Sequence, residues 1–343
     1  MAVVCGLVGA AAVLALAGLT VNRAIDATDG EPRLPERWER GANLTAFLPD
    51  AYGSATAERA LLTLRATGAD LVALTPTHYM ETAGSGEVIA DPAKTPTDAS
   101  VLRAARRARS LGFAVAIKPH VDVLDGTFRG EIQPLDREAW FASYLSIVER
   151  YASLAQEAKA ETFVIGTELT SMSADDGAWR DLIARARELF DGRITFAANW
   201  VDGAEQIVFW DALDVIGIDA YMPLAPETTD PSVDDLVTAW GPYVERMETL
   251  NQRWNKPIIF TELGYTAREG TAARMNENSG ALDESAQANA YEAAFRSLSP
   301  LPYFEGIWWW EWSAEGLGIG PDEGTFSPEG KQAAVVLEYW QRD

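Results

Sequence analysis

Phe163-Val164-Ile165-Gly166-Thr167-Glu168-Leu169 is a short apolar run that ends abruptly in a carboxylate. An amphipathic stretch precedes it at residues 137–158 and another follows at 177–190. A brief apolar run between such stretches reads as a buried strand, and apolar residues recurring every three or four positions read as helix. The same alternation continues in both directions along the chain. Residues 41–45, 70–75, 113–118, 163–167, 195–199, 215–219, 257–261 and 305–310 predict eight strands. Between them residues 55–67, 98–110, 137–158, 177–190, 233–254 and 284–297 predict helices, with a short one near 204–210 and a closing one at 329–341.

Strict alternation of strand and helix implies a parallel sheet with right-handed crossovers, the α/β class. Eight repeats imply closure into a (β/α)8 TIM barrel, which takes ~250 residues and fits a single catalytic domain spanning 41–343. The alternative is an open doubly wound sheet, which carries a Gly-rich phosphate turn after its first strand. Gly41-Ala42-Asn43-Leu44-Thr45-Ala46-Phe47 has no such turn.

Ahead of the barrel, residues 2–21 are apolar and uncharged, about the ~20 residues needed to cross a bilayer. A basic leader is missing, and Ala15-Leu16-Ala17 offers a small-residue cleavage pattern, so a signal peptide and a membrane tether both fit, with a buried N-terminal helix as a third reading. The first two put the catalytic domain outside the cytoplasm, secreted, periplasmic or anchored. Residues 24–40 are rich in charge and proline and read as a linker. The formal net charge of -23 repels a phosphate backbone and argues against nucleic acid as a partner. Cys5 is the single cysteine, which excludes a disulfide framework or multi-Cys metal site. The two histidines, His78 and His120, fall on different strands, so neither metal nor cofactor is expected.

In a barrel the reactive side chains sit at the C-terminal ends of the strands. Those ends carry Asn43, Thr75-Pro76-Thr77-His78-Tyr79, Lys118-Pro119-His120-Val121-Asp122, Glu168, Asn199-Trp200, Asp219-Ala220-Tyr221, Glu262 and Trp308-Trp309-Trp310-Glu311-Trp312. Polar and aromatic residues thus converge on one rim, as a working site requires and a packing scaffold does not. Glu168 and Glu262 each follow an apolar strand directly, the fourth and the seventh, and each is preceded by Thr and followed by Leu. Those two strands face each other obliquely across the mouth, which can set two carboxyl groups about 5 Å apart, the separation for a retaining double displacement at a glycosidic bond. Such cleavage needs one carboxyl protonated to assist the leaving oxygen and a second ionised to trap the oxocarbenium-like centre. Each charge raises the other's proton affinity, and a tryptophan wall adds desolvation.

The run Thr261-Glu262-Leu263-Gly264-Tyr265 after an apolar strand, with Gly166-Thr167-Glu168 at strand four and a Trp-rich strand eight, resembles clan A glycoside hydrolases and, more narrowly, glycoside hydrolase family 113, which includes endo-β-1,4-mannanases. The resemblance spans residues 41–341. It implies a retaining mechanism in which Glu168 is the general acid/base and Glu262 the nucleophile, acting on a mannan-like poly- or oligosaccharide. Most clan A enzymes place Asn directly before the acid/base; this chain has Thr167, so the usual contact to the sugar 2-hydroxyl must come from elsewhere.

Candidate substrate contacts are Asn43, Lys118, His120, Asp122, Asn199, Trp200, Tyr221, Trp308 and Trp310. Tyr221 can donate a hydrogen bond to Glu262 and keep it ionised, or simply pack beneath the rim. Trp308 and Trp310 share one face of strand eight and Trp309 the other, so one face can floor a sugar subsite while the other packs on helices. Core packing claims several of the 12 tryptophans in either case. Residues 268–283, rich in Gly, Asn and Thr, are long enough for a cleft wall or a plain loop. A monomeric hydrolase is the expectation; a non-catalytic sugar-binding barrel and a transglycosylase are the competing readings.

Overall fold

The computed structural model describes residues 33–224, 230–275 and 279–342. The apolar segment 2–21 lies outside the described residues, and among those described no helix is long and apolar enough to cross a membrane. The strands are β1 (Glu39–Ala46), β2 (Leu71–Met80), β3 (Ala114–Ile117), β4 (His120–Val123), β5 (Thr162–Thr167), β6 (Arg193–Asn199), β7 (Ile216–Asp219), β8 (Ile258–Leu263) and β9 (Phe304–Ser313). Around them run α1 (Ala55–Ala66), α2 (Asp98–Ser110), α3 (Arg137–Ala158), α4 (Asp176–Leu189), α5 (Trp200–Gln206), α6 (Val233–Trp254), α7 (Glu284–Leu298) and α8 (Gln332–Gln341).

Every strand pairing is parallel, and β1 bonds to both β2 and β9, so the sheet closes on itself as a (β/α)8 TIM barrel. β3 and β4 together make the third stave: β3 pairs with the first half of β2 and β4 with the second. The break falls at Lys118-Pro119, where proline has no N–H to give to a ladder. Residue types at the helix starts fit their positions. Ser54, Thr97, Asp136, Ser232 and Asp283 each accept a backbone N–H of the first turn, and Ser232 with Asp235 completes a capping box.

The barrel begins earlier than the linker reading 24–40 allows. β1 starts at Glu39, and Trp38 is buried against Phe304 with ring centroids 5.4 Å apart. At the other end β9 runs three residues past the expected 310 to Ser313.

Two cores follow from strand alternation. Outward residues of the staves meet the helices, as where Trp309 stacks on Tyr291 of α7 at 3.9 Å. Inward residues fill the barrel floor, among them Leu71, Ala116, Val164, Ile259 and Trp308. Trp308 can lie across that floor only because Gly41 has no side chain: a Cβ there would collide with its indole ring.

The stem of the 268–283 loop is pinned by antiparallel contacts, with the Glu269 N–H donating to the Ala281 carbonyl and the Asp283 N–H to the Ala267 carbonyl, both at 2.9 Å. Its tip, residues 276–278, lies outside the described residues.

Candidate active site

Glu262 arrives at the mouth through an irregularity in β8. Ile218 pairs with Phe260, but Asp219 pairs with Glu262, so β8 carries one extra residue, Thr261, against β7. Such a bulge re-aims the side chain that follows it. The Glu262 carboxylate then has donors at both oxygens. Oε1 accepts from Lys118 Nζ and lies 3.3 Å from His120 Nε2, and Oε2 accepts from the Tyr221 hydroxyl at 2.8 Å. Burial alone would raise its proton affinity, but the Lys118 ammonium and the His120 ring outweigh it and hold Glu262 well below the usual carboxylate range.

Glu168 stands at the end of β5, beyond a register shift between Val164 and Thr167, with its own backbone in the left-handed region at φ 54°. Its N–H is tied to the Ala197 carbonyl at 2.8 Å. Oε2 accepts from Arg129 at 3.3 Å. Here burial prevails over the Arg129 charge, Glu262 adds to it, and the carboxyl is pushed up to about 7. Glu168 is 7% and Glu262 3% exposed, so each is dry while still touching the cleft.

Between the two carboxyls lie His120 and Arg129. Arg129 comes from a short 3-10 turn after β4 and touches His120 Nδ1 at 3.2 Å, Glu168 at 3.3 Å and Asp122 Oδ1 at 2.5 Å. A guanidinium only donates, so His120 Nδ1 accepts, and the ring proton is assigned to Nε2, facing Glu262. Burial, then Lys118 and Arg129, lower His120 to about 4, so the imidazole is neutral at neutral pH. Trp310 stacks parallel to the His120 ring, 7° between planes at 5.7 Å, and is half-buried at the mouth.

The structure therefore brings Lys118, His120, Asp122, Tyr221 and Trp310 together with Glu168 and Glu262. Asn199 and Trp200 sit half-buried where β6 passes into α5, Trp200 at φ 60°. Asn43 and Trp308, expected as sugar contacts, lie deeper. Asn43 is fully buried and its amide donates to the Thr261 and Trp308 carbonyls at 3.1 Å each. Trp308 is fully buried in the floor, its indole N–H bonded to Glu39 at 2.9 Å. Both hold strands together below the cleft.

Three further groups belong to the site. Arg129 lies in a loop with no apolar period, and nothing local marks it. Asp219 and Glu311 were visible only as strand ends. Asp219 is fully buried, accepting from Thr261 Oγ1 at 2.7 Å and from Lys118 at 3.2 Å, and burial followed by the Glu262 charge raises its proton affinity. Glu311 is raised to about 7 by burial and by Glu262, against a hydrogen bond from Thr45. Among the described residues no cluster of His, Cys, Asp or Glu could hold a metal ion.

A barrel mouth with one carboxyl held low and another raised to about 7 carries the unlike acid pair that glycosidic bond cleavage calls for. The sequence profile of glycoside hydrolase family 113 matches residues 48–320, and the chain belongs to that family. Among solved structures it resembles the family 113 β-mannanase AaManA from Alicyclobacillus acidocaldarius, in complex with ManMIm, at 29% identity and TM-score 0.80, covering 88% of this chain and 96% of that one. A β-1,4-mannanase of the same family aligns at 25% identity and TM-score 0.81, over 89% of this chain and 99% of the other. A β-glucuronidase from Ruminococcus gnavus, at 15% identity and TM-score 0.60 over 88% of this chain and 50% of that one, shares the fold alone. No curated protein matches.

Proposed function

We propose that this hydrolase cleaves β-1,4-linked mannan or manno-oligosaccharides with retention of configuration, Glu262 serving as nucleophile and Glu168 as general acid and then base. The observation that carries the reading is the unlike surroundings of two buried carboxyls on one rim: Glu262 has Lys118, His120 and Tyr221 at its oxygens, which hold it low, and Glu168 is buried with Arg129 at 3.3 Å, which leaves it raised to about 7. In the first step the ionised carboxylate attacks the anomeric carbon while the protonated one delivers its proton to the departing oxygen; in the second Glu168 takes a proton from water. The mannan assignment is supported by the two β-mannanases, each covered over nearly its whole length. Early-time proton NMR of manno-oligosaccharide cleavage tests it. The β-anomer should appear first and mutarotate later; α-anomer as the initial product, or no cleavage of mannans at all, overturns the proposal.

The pH dependence follows from the same pair. Glu168 is raised, so its proton is present below about 7 and lost as pH rises through that value. Glu262 is lowered, so its charge persists through the mildly acidic range. The kcat/KM profile should be flat in mild acid and fall about tenfold per pH unit above roughly 7, the limb of a single required acid. A profile level across pH 5–9 removes Glu168 as the donor.

A further inference from the structure

Lys118 is completely buried, and two carboxylates touch its ammonium: Glu262 on one side and Asp219 Oδ2, at 3.2 Å, on the other. Asp219 is just as dry, and its second oxygen accepts from Thr261 Oγ1 at 2.7 Å. Both of its oxygens thus face donors, an arrangement that favours the ionised form against the burial and the Glu262 charge that raise its proton affinity. One cation serving two buried anions is more negative charge than the resting nucleophile needs, and Asp219 is too deep to meet a substrate. Its use must lie at another stage of the cycle.

We propose that Asp219 is the counter-ion that keeps Lys118 paired while Glu262 is esterified to the sugar, a positioning residue for the covalent intermediate. The inference rests on Glu262 being the nucleophile. In the first half-reaction a Glu262 oxygen bonds to the anomeric carbon and the bond from that carbon to the leaving oxygen breaks. The electron pair stays on the leaving oxygen, which takes the Glu168 proton. One negative charge has moved from Glu262 to Glu168, which has Arg129 at 3.3 Å to receive it. At the other end Lys118 has lost the charge it faced. It has no access to water, and the neutral His120 ring 3.3 Å away cannot balance it. An unpaired ammonium in a dry interior is costly, so an intermediate without Asp219 would be disfavoured. Esterification also removes the Glu262 charge that works against Asp219 ionisation. Asp219 thus faces Lys118 throughout, beside Glu262 in the resting enzyme and alone while Glu262 is esterified.

The test separates the two chemical steps. In the wild type, 2-deoxy-2-fluoro-β-mannosyl fluoride should label the peptide bearing Glu262; a label elsewhere removes the nucleophile reading and this inference with it. With that label found, rapid-quench kinetics on 2,4-dinitrophenyl β-mannobioside compare wild type with Asp219→Asn. Glycosylation should slow by about 30-fold or more, the lower end of what an unpaired buried charge costs. Hydrolysis of the intermediate should be unchanged or faster, so any initial burst disappears. The double variant Lys118→Met with Asp219→Asn, which removes both charges, should glycosylate faster than Asp219→Asn alone. Equal slowing of both steps, no change in either, or a double variant no faster than the single one overturns the proposal. If Asp219→Asn does not fold by circular dichroism, Thr261→Val, which keeps the carboxylate but removes its hydrogen bond, should show the same selective loss in smaller degree; an equal loss in both steps counts against it.

Discussion

Replacing Glu262 with Ala should reduce turnover of manno-oligosaccharides by about 10,000-fold or more, the scale of deleting a group that makes a bond in the transition state. The lost carboxylate has donors at both oxygens, from Lys118 and His120 on one and Tyr221 on the other. Among the described residues no other carboxylate reaches that position, so none can substitute. The fold should survive, because Lys118 still faces Asp219 at 3.2 Å and does not become an orphan charge. Thermal unfolding of the variant within a few degrees of wild type would show that the loss is chemical. Azide at high concentration can enter the space left by the side chain and attack the anomeric carbon directly. With an activated aryl β-mannoside it should restore measurable turnover and give the α-mannosyl azide, one inversion in place of two. Formation of the β-azide, or activity within tenfold of wild type, would place the nucleophile elsewhere.

Much of this arrangement could be read before any coordinates. Apolar runs such as Phe163–Thr167 and Pro257–Thr261 are bounded by amphipathic stretches, and burial of both sheet faces makes such runs unmistakable. What stayed hidden is depth and partnership. Strand alternation correctly puts Trp308 and Trp310 on one face and Trp309 on the other. Yet two residues along a strand is one layer of a barrel, enough to take Trp308 from the cleft to the floor. Asn43 is misjudged for the same reason, lying a layer below the mouth. Lys118 was legible as a site residue but not as a fully buried one whose partners, Asp219 and Glu262, are more than a hundred residues away. Arg129 owes its place to side chains from β4 and β5, and its surrounding loop has no period to mark it. Local pattern fixes which face a residue takes; charge partners come from the closure of the whole barrel.

Glu168→Ala should behave differently, and the difference assigns the roles. General acid catalysis is worth about 100- to 10,000-fold, and only where the leaving group needs a proton. Hydrolysis of mannohexaose, whose departing alcohol is a poor leaving group, should fall within that range. With a 2,4-dinitrophenyl mannoside the first step needs no proton, so glycosylation should be nearly unaffected. The second step then lacks its base, and the covalent intermediate accumulates, lowering kcat and KM together. Azide should relieve this by attacking the intermediate without base assistance, giving the β-mannosyl azide, opposite to the product of the Glu262 variant. The alkaline limb near pH 7 that the wild type shows with mannohexaose should also vanish in the variant, since the group pushed up to about 7 is gone. Arg129, which now lacks its Glu168 contact, keeps Asp122 at 2.5 Å, so the loop should stay in place and the assay should report chemistry. An equal fall for the alcohol and aryl leaving groups would mean that Glu168 shapes the cleft without transferring a proton, and the donor would then have to be sought at Glu311, the other rim carboxyl raised to about 7.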